Sequence, residues 1–199
     1  MIRVVINDST RRPIDAISSA AGTSYGKPDA SPKRFRNCVE LGHMSVLEHA
    51  YVTFVVEGIS RACSHQLVRH RMASFCQLSQ RYVRIDTGED WYVVPPEFAE
   101  KHAAEFRDHM DECAKQYNGA LGAGIKPEDA RYLLPEATRT RITVTMNVRE
   151  LFHFFDLRLD RNAQWEIREM AGLLRSALMC RNSQWYELIE EYDKVSGRC

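Results

Sequence analysis

No acidic residue falls between Glu57 and Asp86, yet that stretch carries Arg61, Arg69, Arg71, Arg81 and Arg84 together with His65 and His70. A guanidinium stays charged in a protein and is costly to bury unpaired. Any fold must therefore keep these groups at a surface or gather them around a ligand. Over 199 residues, 27 Lys and Arg balance 27 Asp and Glu, so the positive charge is local. Concentrated guanidinium on a neutral chain suits a discrete anion such as a phosphate. A nucleic-acid binder more often carries a broad basic excess. The plainer alternative is a solvated basic face, although such faces usually interleave both signs.

The length suits one domain with a full core, and residues 1–199 are read as a single domain. Apolar residues make up 44% and charged residues 27%, a globular composition. No apolar run is long enough to span a bilayer, and no signal-peptide pattern opens the chain. Cysteines 38, 63, 76, 113, 180 and 199 form no C-x-x-C and no metal-type spacing. Unpaired cysteines without an export signal predict a cytoplasmic protein.

Ile2–Ile6 reads as a short strand and Ile14–Ala21 as a helix broken at Tyr25-Gly26-Lys27-Pro28. Ser31-Pro32 predicts an N-cap and first helical position, with a helix to about Leu41. In Ala50–Glu57, Val52, Phe54 and Val56 alternate with Tyr51, Thr53 and Val55, the period of a strand. Ile59–Arg71 is predicted helical, Asp90–Val94 a short strand stopped by Pro95-Pro96, and Glu97–Leu121 one long helix. That long helix would bury Phe98, Phe106, Met110, Cys113 and Tyr117. Thr140–Met146 is a strand with Thr140, Ile142, Val144 and Met146 on one face. Val148–Leu159 and Ala163–Cys180 are helices. The mixture predicts an α+β fold, a mixed or antiparallel sheet flanked by long helices.

A helix over Ile59–Arg71 would put Gln66, Arg69 and His70 on one face. Ser74, Gln77, Ser79 and Arg81 would add hydroxyls, an amide and another guanidinium, a set able to hold a phosphate and a polar ring. Arg158 shares a face with Leu151, Phe154 and Phe155, where an unpaired charge is costly. It either bridges a buried acid or aims a permanent charge at electron density on a substrate, and it cannot accept a proton. Asn147 with Glu150 three positions on reads as a capping box. Arg149 and His153 lie a turn apart, and either is compatible with plain surface. Arg131, before Leu133-Leu134-Pro135, is uninformative alone. His43, Glu48 and His49 lack H-E-x-x-H spacing, and a metal is rejected there. Ser45 and a histidine of that loop suit a ligand, and turn capping is the alternative. G-x-G-x-x-G, the P-loop and G-x-S-x-G are all missing.

Arg69-His70-Arg71, seven residues, then Ser79-Gln80-Arg81 matches R-H-R-x7-S-x-R, the signature of flavin-dependent thymidylate synthases of the ThyX type. The chain resembles that family further in His43–His49, Arg131 with Leu134-Pro135, Asn147-x-Arg149, Leu157-Arg158 and Ala163–Ile167, in order over roughly residues 40 to 170. The resemblance implies a homotetramer with active sites at subunit interfaces, FAD as cofactor, NADPH as reductant and methylenetetrahydrofolate as carbon donor, turning dUMP into dTMP. It implies that Ser45, Arg69, His70, Arg71, Gln77, Asn147, Arg149 and His153 contact FAD. It implies that Gln66, Arg69, Gln77, Leu78, Ser79, Gln80, Arg81, Arg131 and Arg158 hold dUMP, with Arg158 catalytic and no metal. Arg81 suits the phosphate, and Arg158 suits the uracil edge, where negative charge develops as C5 becomes nucleophilic. Ser79 has no base beside it in sequence and is read as a binding hydroxyl.

The chain departs from the family pattern at Gly22 (arginine in Ala-Arg-Val-Ser), Gln77 (glutamate in some relatives), His153 (asparagine) and Asn162 (histidine). Two other readings compete. A small nucleic-acid module would use the basic block and Tyr82; a non-catalytic oligomer would use the arginines structurally. Neither nucleic acid nor a membrane is expected as a partner. The helical region Glu97–Gly124 carries no functional reading beyond packing.

Overall fold

The structure is a computed structural model that describes residues 1–27 and 31–197. Pro28 and Cys199, singled out above, lie outside the described residues.

Strand β1 (Arg3–Ser9) is followed by helices α1 (Pro13–Thr23) and α2 (Pro32–Glu40), a 3-10 helix (Met44–His49) and β2 (Tyr51–Ser60). Next come α3 (Arg61–Leu67), β3 (Ala73–Gln77), α4 (Pro96–Lys101), α5 (Ala103–Gly122), α6 (Pro127–Ala130) and a second 3-10 turn (Arg131–Leu133). Strand β4 (Arg139–Asn147) and helices α7 (Val148–Arg158), α8 (Trp165–Met179) and α9 (Ser183–Ser196) complete the chain. The four strands form one sheet in the order β1-β2-β4-β3, every pair antiparallel. The fold is α+β.

One sheet face is apolar and covered. Val52, Phe54 and Val56 of β2 and Ile142, Val144 and Met146 of β4 are buried in one core with residues of α1, α2, α7, α8 and α9. The alternation read from sequence falls on that face in both strands. The opposite face is polar, with Thr53 and Thr145 sharing a hydroxyl hydrogen bond at 2.9 Å.

A bulge between Glu57 and Ile59 bends the end of β2. Gly58 there has φ +78°, and a Cβ would sit 2.5 Å from the Met1 carbonyl oxygen, so only glycine fits. Beyond the bulge β2 continues to Ser60, whose hydroxyl accepts from the Cys63 N–H and caps α3. The helix expected over Ile59–Arg71 is therefore only Arg61–Leu67, and Arg69 and His70 follow it in a turn. They do not share a helix face with Gln66.

The helix expected over Glu97–Leu121 is interrupted at His102, φ −140° and ψ 35°. The break brings the rings of Phe98 and Phe106 to 4.8 Å. In a continuous helix residues eight apart stand about 12 Å apart. On this segment Met110 and Tyr117 are buried, while Phe98 is exposed and Phe106 and Cys113 are partly so. Asp90–Val94 reduces to one bridge, Tyr92 with Thr138.

Strand β3 and helix α9 carried no sequence expectation. β3 is a five-residue edge strand without β-branched residues. α9 was legible: Trp185, Leu188, Ile189 and Tyr192 recur at i, i+3, i+4 and i+7, with Asn182 as N-cap accepting from the Trp185 N–H at 3.1 Å.

Buried Glu166, at the start of α8, accepts from the Ser60 N–H and the Ser60 hydroxyl, each at 2.6 Å. It ties α8 to the junction of β2 and α3. Glu166→Ala leaves both Ser60 donors unpaired and should cost about 3 kcal/mol of stability. Urea unfolding at neutral pH should show a lower midpoint with an unchanged m-value.

Candidate active site

Short elements at the sheet's edges carry the arginines. The turn after α3 exposes Arg69 and Arg71 and buries His70 between them, 2% exposed. Among the described residues Arg69, Arg71 and Arg84 have no carboxylate partner. The stretch without acids in sequence gains some in space. Arg81 pairs through Nε with Glu128 at 2.9 Å, and His65 Nδ1 lies 3.4 Å from Glu136. Ser79 Oγ accepts from the Arg81 N–H, and Arg131 donates through Nε to the Glu128 carbonyl oxygen at 3.0 Å. Arg131 and Gln80 line a cleft of about 220 Å³ with Arg61, His65, Tyr132 and Glu136. The loop holding Arg81 and Arg84 is anchored by α5. The Ile85 N–H donates to the Tyr117 hydroxyl at 3.0 Å, and Asn118 donates to Thr87 at 2.8 Å.

A second cleft, about 480 Å³, is lined by Met44, Glu48, Met72, Asn147, Arg149, Glu150 and His153 among others. Asn147 caps α7 by accepting from the Glu150 N–H at 2.9 Å, as the sequence predicted. Glu150 does not complete the box. Its carboxylate turns inward to His70 Nδ1 at 3.1 Å. Arg149 Nη1 pairs with Glu48 at 2.6 Å, and Ser45 is exposed on the 3-10 helix that carries Glu48.

Among the described residues Arg158 meets no acid. Its Nε donates to His70 Nε2 at 3.0 Å, and Nη2 lies 3.4 Å from the Gln66 carbonyl oxygen. Burial, the Arg158 guanidinium and His153 together press the His70 pKa down to about 4. Burial pushes that of Glu150 up. At neutral pH His70 is thus uncharged, its proton on Nδ1 toward Glu150. The structural alternative of an Arg158 salt bridge to a buried acid is replaced by this relay.

The resemblance implies a flavin contact for His70, but both its ring nitrogens are already engaged. Gln77 lies on the covered face of β3, its amide donating to Ser64 at 2.8 Å and Thr140 at 3.1 Å. Leu78 is exposed just beyond, and its N–H donates to the Arg141 carbonyl. Ser74 points to the opposite face from Gln77 and is exposed. Gly22 is a departure with a steric basis. A Cβ there would lie 2.0 Å from the Lys27 carbonyl oxygen and 2.5 Å from Arg34 Nη1, so that backbone has no room for an arginine.

Two groups result. Asn147, Glu150, His70, Arg158 and Gln66 are linked by hydrogen bonds, and Arg81, Glu128 and Arg131 form the other. Among the described residues no hydrogen bond or ion pair joins the two. Glu48, Glu128 and Glu150 take part but were not assigned from sequence. Glu150 left a signal as the acid three residues after a cap, Glu48 left one as part of the His43–His49 segment, and Glu128 left none.

Could the site hold a metal? Ligand atoms of His70, Glu150 and His153 lie within 4.8 Å of one another. His70 spends Nδ1 and Nε2 on Glu150 and Arg158, so the trio reads as a hydrogen-bond relay with exposed His153 beside it. An organic anion fits better. Unpaired guanidinium groups at Arg69 and Arg71 suit phosphate oxygens, and the larger cleft mixes thioethers and amides with charge.

Fold and site thus define an α+β protein whose guanidinium groups suit phosphorylated ligands. Residues 5–180 match the family described as thymidylate synthase complementing protein, Thy1. The chain is 41% identical over its whole length to a flavin-dependent thymidylate synthase of Pyrococcus abyssi, covering 87% of that protein. It belongs to that family. Two crystal structures share the fold. One is a UMP/dUMP methylase, PolB, from Streptomyces cacaoi bound with 5-Br dUMP (TM-score 0.81, 22% identity, 96% of each chain). The other is thymidylate synthase X from Helicobacter pylori with FAD and dUMP (TM-score 0.78, 24% identity, 96% of this chain and 99% of that one).

On acidification the unfolded chain protonates His70 near about pH 6.5, the folded protein only near about pH 4. The depressed pKa therefore contributes stability that is lost as pH falls through that window, about 3 kcal/mol in all. Glu150, with its raised pKa, acts in the opposite sense above its ordinary range. NMR titration should give His70 a midpoint near 4.

Proposed function

We propose that this chain is a flavin-dependent thymidylate synthase, converting dUMP to dTMP with methylenetetrahydrofolate as carbon donor and NADPH as reductant through FAD. The observation that carries the reading is Arg158: a permanent positive charge, half-buried, held by a neutral histidine and neutralised by no carboxylate among the described residues. Such a group stabilises negative charge developing on a pyrimidine ring.

Arg69, Arg71, Ser45, Asn147, Arg149 and His153 would hold FAD, their donors matching phosphates and a polar ring. Bound FAD supplies the redox chemistry of the reaction. His70 and Gln77, engaged inside the protein, support that site from behind. Arg81, Arg131, Ser79, Gln80 and the Leu78 backbone would take the dUMP phosphate and sugar. Arg69 would reach both ligands, and Gln66 with Arg158 would take the uracil. Exposed Arg81 now pairs with half-buried Glu128, a contact weak enough for a phosphate to displace. With no side-chain nucleophile assigned, Arg158 orients and polarises the uracil, and no proton leaves it.

Two groups of binding residues without a direct link in one chain favour a site completed by a second copy, and the homotetramer of the resemblance supplies one. Residues 1–199 would act as one domain. No helix among the described residues is long and apolar enough to cross a membrane. The nucleotide synthesis proposed would be cytoplasmic.

Visible absorption of the protein with FAD restored, before and after dUMP, tests this reading. A bound-flavin spectrum perturbed by dUMP is expected. A free-flavin spectrum in both cases would reject it and send the basic block to nucleic-acid binding assays. Arg158→Ala should fold, retain the flavin spectrum and lose about 10²–10³-fold in kcat, the scale of one removed transition-state donor. Full turnover in that variant would remove Arg158 from the mechanism.

A further inference from the structure

Arg158 has to present one edge to the substrate while something fixes the other. The fixing contact is its Nε–H, donated to His70 Nε2 at 3.0 Å. A ring nitrogen that accepts from a guanidinium carries no proton. His70 must therefore hold its proton on Nδ1, where it faces Glu150 Oε1 at 3.1 Å. The ring cannot readily turn, because Phe154 meets its edge at 5.0 Å between centroids and His153 at 5.6 Å. Glu150 is itself placed by helix geometry, as its N–H donates to the Asn147 cap at 2.9 Å.

Glu150 and Arg158 lie eight residues apart on α7, about 12 Å along the axis, too far to touch. His70, from the turn after α3, spans the gap. The spacer has a consequence. A carboxylate placed directly on Arg158 would orient it but would also cancel much of its field at the substrate. A neutral imidazole orients it and leaves the charge intact. The arrangement works in one tautomer only. With the proton on Nε2, two N–H groups would face each other and the guanidinium would swing away.

We propose that Glu150 is a positioning residue for the reaction: it holds His70 in the Nδ1–H tautomer and so aims Arg158. The proposal rests on the reading of Arg158 as the group facing the uracil. It gives buried Glu150 a task beyond the first turn of a helix, and it explains why His70 is buried between two exposed arginines.

The test compares wild type, Glu150→Ala and Glu150→Gln, all with ¹⁵N-labelled histidine and arginine. In ligand-free wild type His70 should be protonated on Nδ1 alone, with a slowly exchanging Arg158 Nε–H. Glu150→Ala should give mixed tautomers, lose the Nε–H signal and lower kcat about tenfold to a hundredfold, the scale of a misplaced reacting group. FAD and phosphate-anchored dUMP should still bind. Glu150→Gln, whose amide oxygen can accept from Nδ1–H, should restore both signals and most of the rate. An Nε2-protonated His70 in wild type overturns the proposal without any variant, even if Glu150→Ala fails to fold. So does a Glu150→Ala protein with wild-type histidine signals, or a Glu150→Gln protein with restored signals but no restored rate. If wild type binds neither FAD nor dUMP, the function fails separately, and the tautomer and Nε–H signals still decide whether Glu150 governs Arg158.

Discussion

The antiparallel pairing of β2 with β4 sets where every other element can go. Their register runs from Tyr51 opposite Asn147 to Ser60 opposite Arg139. Each strand passes directly into a helix: β2 into α3, capped by Ser60, and β4 into α7, capped by Asn147. Because the strands are antiparallel, the two helices start at opposite ends of the sheet. α7 then carries Arg158 back to the carbonyl of Gln66 on α3. The apolar face shared by the two strands makes this register stable, since a slip of one residue would turn Phe54 and Val144 to the polar side.

The electrostatics of the site follow from what that packing buries. His70 lies between two exposed arginines in sequence, but the turn after α3 sends its ring inward and theirs outward. Buried beside a guanidinium, the imidazole stays neutral and becomes an acceptor. One short sequence run thus serves two purposes, free cations at the surface and an uncharged strut beneath them. The same economy appears at Glu166, where a single carboxylate satisfies two donors of Ser60 and locks α8 against the sheet.

The strands β2 and β4 were legible because their alternation is strict and one face is wholly apolar. Helices α7 and α8 were legible from spacing and caps. The extent of α3 was not, since nothing local in Val68-Arg69-His70 forbids another helical turn; the strand running on to Ser60 and the return into β3 decide it. The break at His102 was not legible either, because it is stabilised by Phe98 on Phe106 rather than by proline or glycine. Helix α5, without a functional reading from sequence, anchors the arginine loop through Tyr117 and Asn118.

By itself the sequence determined the class of chemistry. Guanidinium groups concentrated on a neutral chain suit an anion, and the motif from Arg69 to Arg81 points to a family whose ligands supply one. It also determined the cap at Asn147 and the alternation of the central strands, because these depend on neighbours within a few residues. Only the tertiary structure decided which arginines keep their charge for a ligand. Arg81 meets Glu128, Arg149 meets Glu48, and Arg158 meets a neutral histidine. Those partners lie dozens of residues away, and an electrostatic environment is set by distance in space, which local sequence does not encode.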